Sequence, residues 1–303
     1  MTPRAQIAVV GGGLMGHGIA QVFARAGHPV RVHDAVPAIL ATLDERIRRN
    51  LTDLGQDPSA ATLVSGHARL ADAVAGASVV FEAGPENLAI KQALFAAIES
   101  AAPRESILAS NTSVIPITQI MARLKHGERA LGTHWWNPPY LVPLVEVIKT
   151  AATSAGAVST MTELLAGAGK TPVTVEKDVP GFVGNRLQHA LWREAISLVA
   201  NGVCDAKTVD TVVKASFGRR LAVLGPLENA DLVGTDLTLA IHQTVLPDLD
   251  RTAGALPYLE KLVAEGKLGM KSGEGFQRWT PEQQASLRSR VLGYLKALED
   301  QGI

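Results

Sequence analysis

Gln6-Ile-Ala-Val-Val-Gly11-Gly12-Gly13-Leu14-Met15-Gly16-His17-Gly18-Ile19-Ala20 reads as a strand, a tight turn and the start of a helix. The apolar run Ile7 to Val10 stops at glycines, and a small-residue helical pattern follows through Ile19, Ala20, Val22, Phe23 and Ala26. Gly11-x-Gly13-x-x-Gly16 stands at the corner. Gly11 permits the turn, Gly13 lets backbone N–H groups reach a pyrophosphate, and Gly16 lets helix and strand approach closely. The anion then sits at the helix N-terminus, against free N–H groups and the positive dipole end. Gly27 ends the helix, and Pro29-Val-Arg-Val-His-Asp34 is a second strand finishing in an acid 18 residues after Gly16. An acid there accepts hydrogen bonds from a ribose 2′-OH and repels a 2′-phosphate, which selects NAD over NADP. Arg31 points to the face of that strand opposite Val30 and Val32. The competing reading is a structural glycine turn with a solvated Asp34.

Outward from this corner, 303 residues leave room for two domains and a sizeable core. Twenty-nine basic and 29 acidic residues give no electrostatic case for nucleic acid or an anionic membrane. No apolar run approaches the ~20 residues that cross a bilayer, and Met1-Thr-Pro-Arg-Ala-Gln6 has no signal-peptide layout. Cys204 is the one cysteine, so there is neither a disulfide framework nor a cysteine metal site. A soluble cytoplasmic protein without a bound metal is expected.

After Asp34 a long helix is expected over roughly Pro37 to Leu54, with Leu40, Leu43, Ile47 and Leu51 on one face and its arginines on a solvated one. Ala60 to Ala75 reads as a short helix plus a connection. Strand patterns recur at Ala77–Ala83, Ser106–Ser110, Ala130–His134, Leu144–Ile148 and Thr171–Val175, with a helix after Asn87 whose Ile90, Leu94, Phe95 and Ile98 face inward. Strands alternating with helices predict an α/β domain, a Rossmann-type, doubly wound, mainly parallel sheet over residues 1–178. Ligands lie off the carboxyl ends of such strands, where Asp34, Glu86, Asn111, Ser113 and His134 fall. From Pro180 strand patterns nearly vanish. Phe182, Val183, Leu187, Leu191, Ala195 and Leu198 recur at helical spacing, Asp205 and Gly225-Pro226 open further helices, and Arg278 to Gln301 is a terminal amphipathic helix. An all-α domain over 179–303 is expected.

His134 closes a strand on the functional edge and can take a proton at neutral pH. Twelve residues on, Glu146 interrupts the apolar Leu144, Val145, Val147 and Ile148. A carboxylate among such neighbours is paired or strongly shifted, and orienting an imidazole is a standard use for one. Spacing does not prove contact, and the alternative is a core histidine with Glu146 facing water. Ser113, Asn111 and Asn185 could each hydrogen-bond a substrate oxygen, while Ser113 and Asn111 could equally serve as local turn or cap residues.

The glycine corner with Asp34, Glu82-Ala-Gly-Pro-Glu86-Asn87-Leu-x-x-Lys91, Ala109-Ser-Asn-Thr-Ser113, His134-Trp-Trp-Asn137-Pro138, Leu144-Val-Glu146-Val-Ile, Pro180-Gly-Phe-Val-x-Asn185-Arg186 and Lys271-Ser-Gly-Glu-Gly-Phe276 occur in order along nearly the whole chain. Jointly they resemble the L-3-hydroxyacyl-CoA dehydrogenase family. The resemblance implies that His134 is the general base for the C3 hydroxyl, that Glu146 holds it, and that Ser113 and Asn185 bond the substrate oxygen, Asn185 from the helical domain. It also implies cofactor contacts from Leu14, Met15, Glu86, Lys91, Asn111, Asn137 and Lys271, closure of a cleft between the domains, and a homodimer formed through the helical domain.

Departures concern the substrate. Where the acyl-CoA enzymes usually carry two phenylalanines this chain has Trp135 and Trp136, which could be core or pocket wall. Pro138-Pro139-Tyr140 and Phe217-Gly-Arg219-Arg220-Leu-Ala-Val-Leu-Gly225-Pro226 look more like relatives acting on free hydroxy acids, the gulonate, carnitine and pyridine-carboxylate dehydrogenases and lambda-crystallin. In them a basic residue stands at the position of Arg220, suited to gripping a carboxylate bidentately; the alternative is a surface arginine. No clear lysine cluster for a CoA phosphate follows Asp34. The expected activity is therefore hydride transfer between NAD and a small 3-hydroxy carboxylic acid, with the CoA thioester as rival substrate. A non-catalytic, crystallin-like NAD-binding protein is the rival of another class.

Overall fold

The computed structural model describes residues 4–300. Met1 to Pro3, part of the lead-in expected to carry no signal-peptide layout, and Gln301, the expected end of the last helix, lie outside the described residues. The chain divides into two compact units, one running to Arg186 and including the residues from Tyr294 on, the other Leu187–Gly293.

The first unit is built on one eight-stranded sheet in the order β3-β2-β1-β4-β5-β6-β7-β8. Its strands are β1 Ile7–Val10, β2 Val30–His33, β3 Val64–His67, β4 Val79–Glu82, β5 Ile107–Ser110, β6 Ala130–Trp135, β7 Leu144–Ile148 and β8 Thr171–Val175. All neighbours pair in parallel except β6 and β7, which are antiparallel. β3 lies within the stretch Ala60 to Ala75, where a short helix plus a connection is expected. Val64-Ser-Gly-His67 is an edge strand with no residue fully buried, so it carries no apolar run to announce itself.

Strand alternation sorts the core into two layers. Ile7 and Val9 face one side, with Ile19 and Phe23 of α1 (Leu14–Arg25). Ala8 and Val10 face the other, with Phe95 and Ile98 of the helix Leu88–Ala101. The expected helix over 37–54 is two, α2 Pro37–Ala41 and α3 Leu43–Asp53. They break at Thr42 (φ −100°, ψ 3°), whose hydroxyl donates to Ala38 O at 3.2 Å and Ile39 O at 3.3 Å. Leu43, Ile47 and Leu51 are buried as the spacing predicts, whereas Ile90, expected inward, is 44% exposed.

The reversal of strand order between β1 and β4 opens a crevice above their carboxyl ends. Two glycines make that corner possible. Gly11 sits at φ +103°, where a β-carbon would also lie 2.6 Å from Ala83 O. At Gly16 a β-carbon would stand 1.7 Å from Gly11 O, so no larger residue lets α1 lie this close to β1.

The second unit contains the helices Ala206–Ala215, Pro226–Val233, Thr235–Val245 and Pro257–Ala264. Asp205 caps the first of these, accepting from Thr208 N at 2.7 Å, and Glu228 accepts from Gly225 N at 2.7 Å at the next. Strand pairing here is limited, among the described residues, to isolated bridges at Gly269, Glu274 and Arg278. No helix among the described residues is long and apolar enough to cross a membrane.

Candidate active site and dinucleotide cleft

A cleft of about 850 Å³ lies over the crevice, lined by Gly11, Gly13, Asp34, Glu86, Asn111, Ser113, His134 and Asn185 among others. Its dinucleotide end is built from α1 outward. No side chain caps α1, and a β-carbon at Gly13 would meet nothing within 4 Å. The first-turn N–H groups therefore have an open approach, as a pyrophosphate requires. Asp34 is fixed by accepting from Gly12 N and Val36 N, each at 2.8 Å, one bond per oxygen. Each oxygen keeps lone pairs for a ribose diol. The residues present fit NAD.

The loop is also held from behind. Arg46, expected on a solvated face, instead donates from Nη2 to Gly12 O and Ile39 O at 2.9 Å each. Burial lowers the pKa of its guanidinium, against the raising pull of Asp34. Asn50 Nδ2 approaches His17 Nε2 at 3.2 Å, so Nδ1 carries the hydrogen and donates to Gly13 O at 2.7 Å. Burial lowers the His17 pKa; the Gly13 bond opposes this and Arg46 adds to it.

Glu86 organises the middle of the cleft. Its Oε1 accepts from Thr112 Oγ1 at 2.5 Å, Ser113 N at 2.9 Å and Val114 N at 3.2 Å, tying the loop after β5 to the turn after β4. Burial alone would raise its carboxyl pKa. The Thr112 hydroxyl, the Lys91 charge and the two backbone donors outweigh it and hold the group below the ordinary carboxylate value. Lys91 lies beneath the cleft and is fully enclosed. Its ammonium donates to both Glu82 oxygens at 2.9 and 3.0 Å and stands 3.6 Å from Glu86 Oε2. It is placed to fix Glu86 rather than to meet a ligand itself. Asn111 spends Oδ1 on Trp135 N at 3.2 Å, and Asn137 is exposed on the rim.

The chemistry lies where β6 meets β7. Antiparallel register sets His134 directly opposite Glu146, on one face of the sheet, with side chains close enough to bond. His134 Nδ1 is 2.7 Å from Glu146 Oε2, and both residues are buried. The other oxygen, Oε1, accepts from Val183 N at 2.9 Å and Gly184 N at 3.1 Å. These are the first donors of the helix Gly184–Ala200, so Glu146 both steadies the imidazole and caps the helix that carries Asn185. Burial would raise the Glu146 pKa. The His134 bond, the Gly184 and Val183 donors and the charge attraction of His134 hold it down instead, so it remains a carboxylate. Asn185 Nδ2 donates to Ser113 O at 2.8 Å. All four residues belong to the first unit, Asn185 included.

Trp135 is core: its ring lies 6.0 Å from those of Phe23 and Phe81, edge-on to both. Trp136 is half-buried and lines the cleft. Arg220 and Lys271 are exposed residues of the second unit. Among the described residues no group of histidine, cysteine and carboxylate side chains could hold a metal. The roles of Glu82, Thr112 and Arg46 have no signal in the sequence, because each depends on a partner in a distant segment: Lys91, Glu86 and Gly12 O.

The family model described as 3-hydroxyacyl-CoA dehydrogenase, NAD binding domain, matches residues 6–179, and the C-terminal domain model of the same name matches 181–279. The chain is 38% identical over 292 residues to 5-formyl-3-hydroxy-2-methylpyridine 4-carboxylate 5-dehydrogenase of Mesorhizobium japonicum, covering 93% of each. A crystal structure of a 5-dehydrogenase for that pyridine carboxylic acid, described as an NAD+-dependent dismutase, aligns with TM-score 0.91 at 36% identity over 98% of both chains. The (S)-3-hydroxybutyryl-CoA dehydrogenase of Ralstonia eutropha aligns with TM-score 0.75 at 30% identity, over 91% of this chain and 99% of that one.

Proposed function

The chain belongs to the 3-hydroxyacyl-CoA dehydrogenase family and is an NAD-dependent dehydrogenase acting on a hydroxyl group; from that premise we propose that it oxidises, reversibly, the secondary alcohol of a small 3-hydroxy carboxylic acid with His134 as general base. The observation that carries the proposal is the buried His134–Glu146 pair opening on the cleft that begins at the glycine corner.

With Nδ1 committed to Glu146, His134 keeps Nε2 as the nitrogen that can take the hydroxyl proton. Glu146 stabilises the imidazolium that results. Ser113 and Asn185 hold the substrate oxygen, and the Asn185–Ser113 bond keeps the two side by side. NAD, when bound, supplies the hydride acceptor. Gly11, Gly13, Leu14, Met15, Gly16 and Asp34 hold its dinucleotide, with Glu86, Asn111 and Asn137 along the cleft and Lys91 acting through Glu86. The base is worth about 10²–10⁴-fold, and alignment of donor carbon and acceptor ring supplies much of the rest.

For the substrate, Pro138-Pro139-Tyr140 and the Arg220 segment favour a free acid, as does the closer structural match to an enzyme of a free pyridine carboxylate than to one of a CoA thioester (TM-scores 0.91 and 0.75). Arg220 is the proposed carboxylate grip. The thioester reading rests on the family's name and the Ralstonia enzyme. We further take the protein to be a cytoplasmic homodimer. In the second unit Val223, Leu227 and Leu232 are 83%, 80% and 72% exposed, an apolar surface that pairing would cover. NADH formation across free 3-hydroxy acids, the pyridine carboxylate and 3-hydroxybutyryl-CoA tests the reading. Turnover should be highest on a free acid and vanish in His134→Ala while NAD still binds. Full turnover in that variant overturns the base, and preference for the thioester overturns the substrate.

A further inference from the structure

The bond to Glu146 fixes His134 at one atom and leaves the ring free to rock about it, so something else must hold its faces. Trp136 lies against one side, ring centroids 5.2 Å apart at 50°, and Phe182 is packed at 5.6 Å and 51°. Phe182 is fully buried at φ +51°, a conformation bulky residues rarely adopt, so it cannot yield easily. Trp136 is the adjustable wall, and its seat is Gly184. A β-carbon there would stand 2.5 Å from Trp136 Cζ2 and 3.4 Å from Cε2. Gly184 opens the helix Gly184–Ala200, where alanine would suit the backbone better. The indole is not kept for its polar atom, since Nε1 is enclosed and makes no hydrogen bond among the described residues. What the site uses is the extra ring, which reaches Gly184 where a phenyl group could not.

We propose that Trp136 and Gly184 are a matched pair that positions His134: the missing β-carbon at 184 seats the indole, and the indole sets the tilt of the imidazole toward the cleft. Gly184 closes the circuit by donating its own N–H to Glu146, so one residue touches both supports of the base. The proposal rests on His134 being the base and adds two positioning residues to it. A methyl group at 184 must move the indole from 2.5 Å to ordinary contact near 3.4 Å, a shift of about 1 Å. A displacement of that size at a reacting group can cost up to about 10²-fold.

The test is a cycle of Gly184→Ala, Trp136→Phe and the double variant, read as kcat, KM, NAD affinity and the pH profile of kcat/KM. Gly184→Ala should lower kcat at least about tenfold, with NAD affinity within about twofold, and should shift the acid limb of the profile. Trp136→Phe alone should cost about threefold. The double variant should return to within about threefold of the parent, because phenylalanine lacks the ring the new methyl strikes. Wild-type kcat in Gly184→Ala, or a double variant no better than that single one, overturns the pairing. Should Gly184→Ala not fold, Trp136→Leu decides, since it removes the wall and leaves 184 alone. A kcat loss of about tenfold with little change in KM upholds the idea, and unchanged kcat defeats it. Failure of the base assignment would appear separately, as turnover surviving in His134→Ala whatever stands at 136 and 184.

Discussion

Replacing Glu146 by glutamine separates the orienting role of this acid from its packing role, because the side chain keeps its shape and loses its charge. Today Oε2 accepts from His134 Nδ1 at 2.7 Å, and Oε1 accepts from Val183 N at 2.9 Å and Gly184 N at 3.1 Å. A glutamine has one acceptor oxygen for these three donors. If the oxygen stays on the two backbone N–H groups, the amide NH2 faces His134 and the imidazole must move its hydrogen to Nε2. The nitrogen toward the cleft is then a donor and cannot take a proton. If the amide flips, NH2 faces two N–H groups and the helix loses its cap. The first arrangement is cheaper, since it saves two bonds of three. Glu146→Gln should therefore fold, with stability lowered by about 1–3 kcal/mol for the weakened charged network. For a unit of this size that is a drop of roughly 2–12 °C in Tm. Its kcat should fall about 10²–10⁴-fold in an NADH absorbance assay, with NAD affinity little changed. A variant that kept kcat within about threefold of the parent, whatever its Tm, would refute the argument that Glu146 selects the working tautomer.

Lys91→Met strands the Glu82 carboxylate, fully buried with only Gly84 N and Ser110 Oγ left to it, and should cost about 3–5 kcal/mol by chemical denaturation. Glu82→Gln/Lys91→Met should cost clearly less, and equal losses would show that the pair does not act as a charge pair. Glu86 and Glu146 both have folded pKa values below the ordinary 4.5. The unfolded chain thus takes up protons first as pH drops. Their contribution is whole above that value and is lost as pH falls through it toward the depressed folded values. His17, whose folded pKa is also lowered, starts a decline in Tm as pH falls below the ordinary 6.5; the two carboxylates should steepen it below 4.5, Glu86→Gln should make that lower part shallower, and an unaltered slope there would remove Glu86 from the account.

How much of this was written in the sequence depends on how local each feature is. The glycine corner is contiguous, and each glycine answers to a constraint within a few residues, so strand, turn, helix and acid could be read directly. β3 could not, because an edge strand with little burial needs no apolar run. Thr42 breaks a helix whose hydrophobic spacing runs on unbroken, since the break comes from a hydroxyl bonding back to the preceding turn. His134 and Glu146 were visible as residue types 12 apart, but their contact is a matter of register: a one-residue slip between β6 and β7 would put the acid on the opposite face. What fixes that register is hydrophobic. Val145 and Val147 belong to the layer under α1 while Ile148 belongs to the other, so sliding the strand would expose three apolar side chains to the wrong layer. The polar pair is thus held by residues with no chemistry of their own. Arg46 and Lys91 show the converse. Both read as surface or ligand-facing cations, yet each is drawn inward by acceptors from distant segments, Gly12 O for one and Glu82 for the other. A charge run in sequence records only that the chain can hold a cation there; which backbone carbonyl or carboxylate turns it away from solvent is decided by packing across tens of residues.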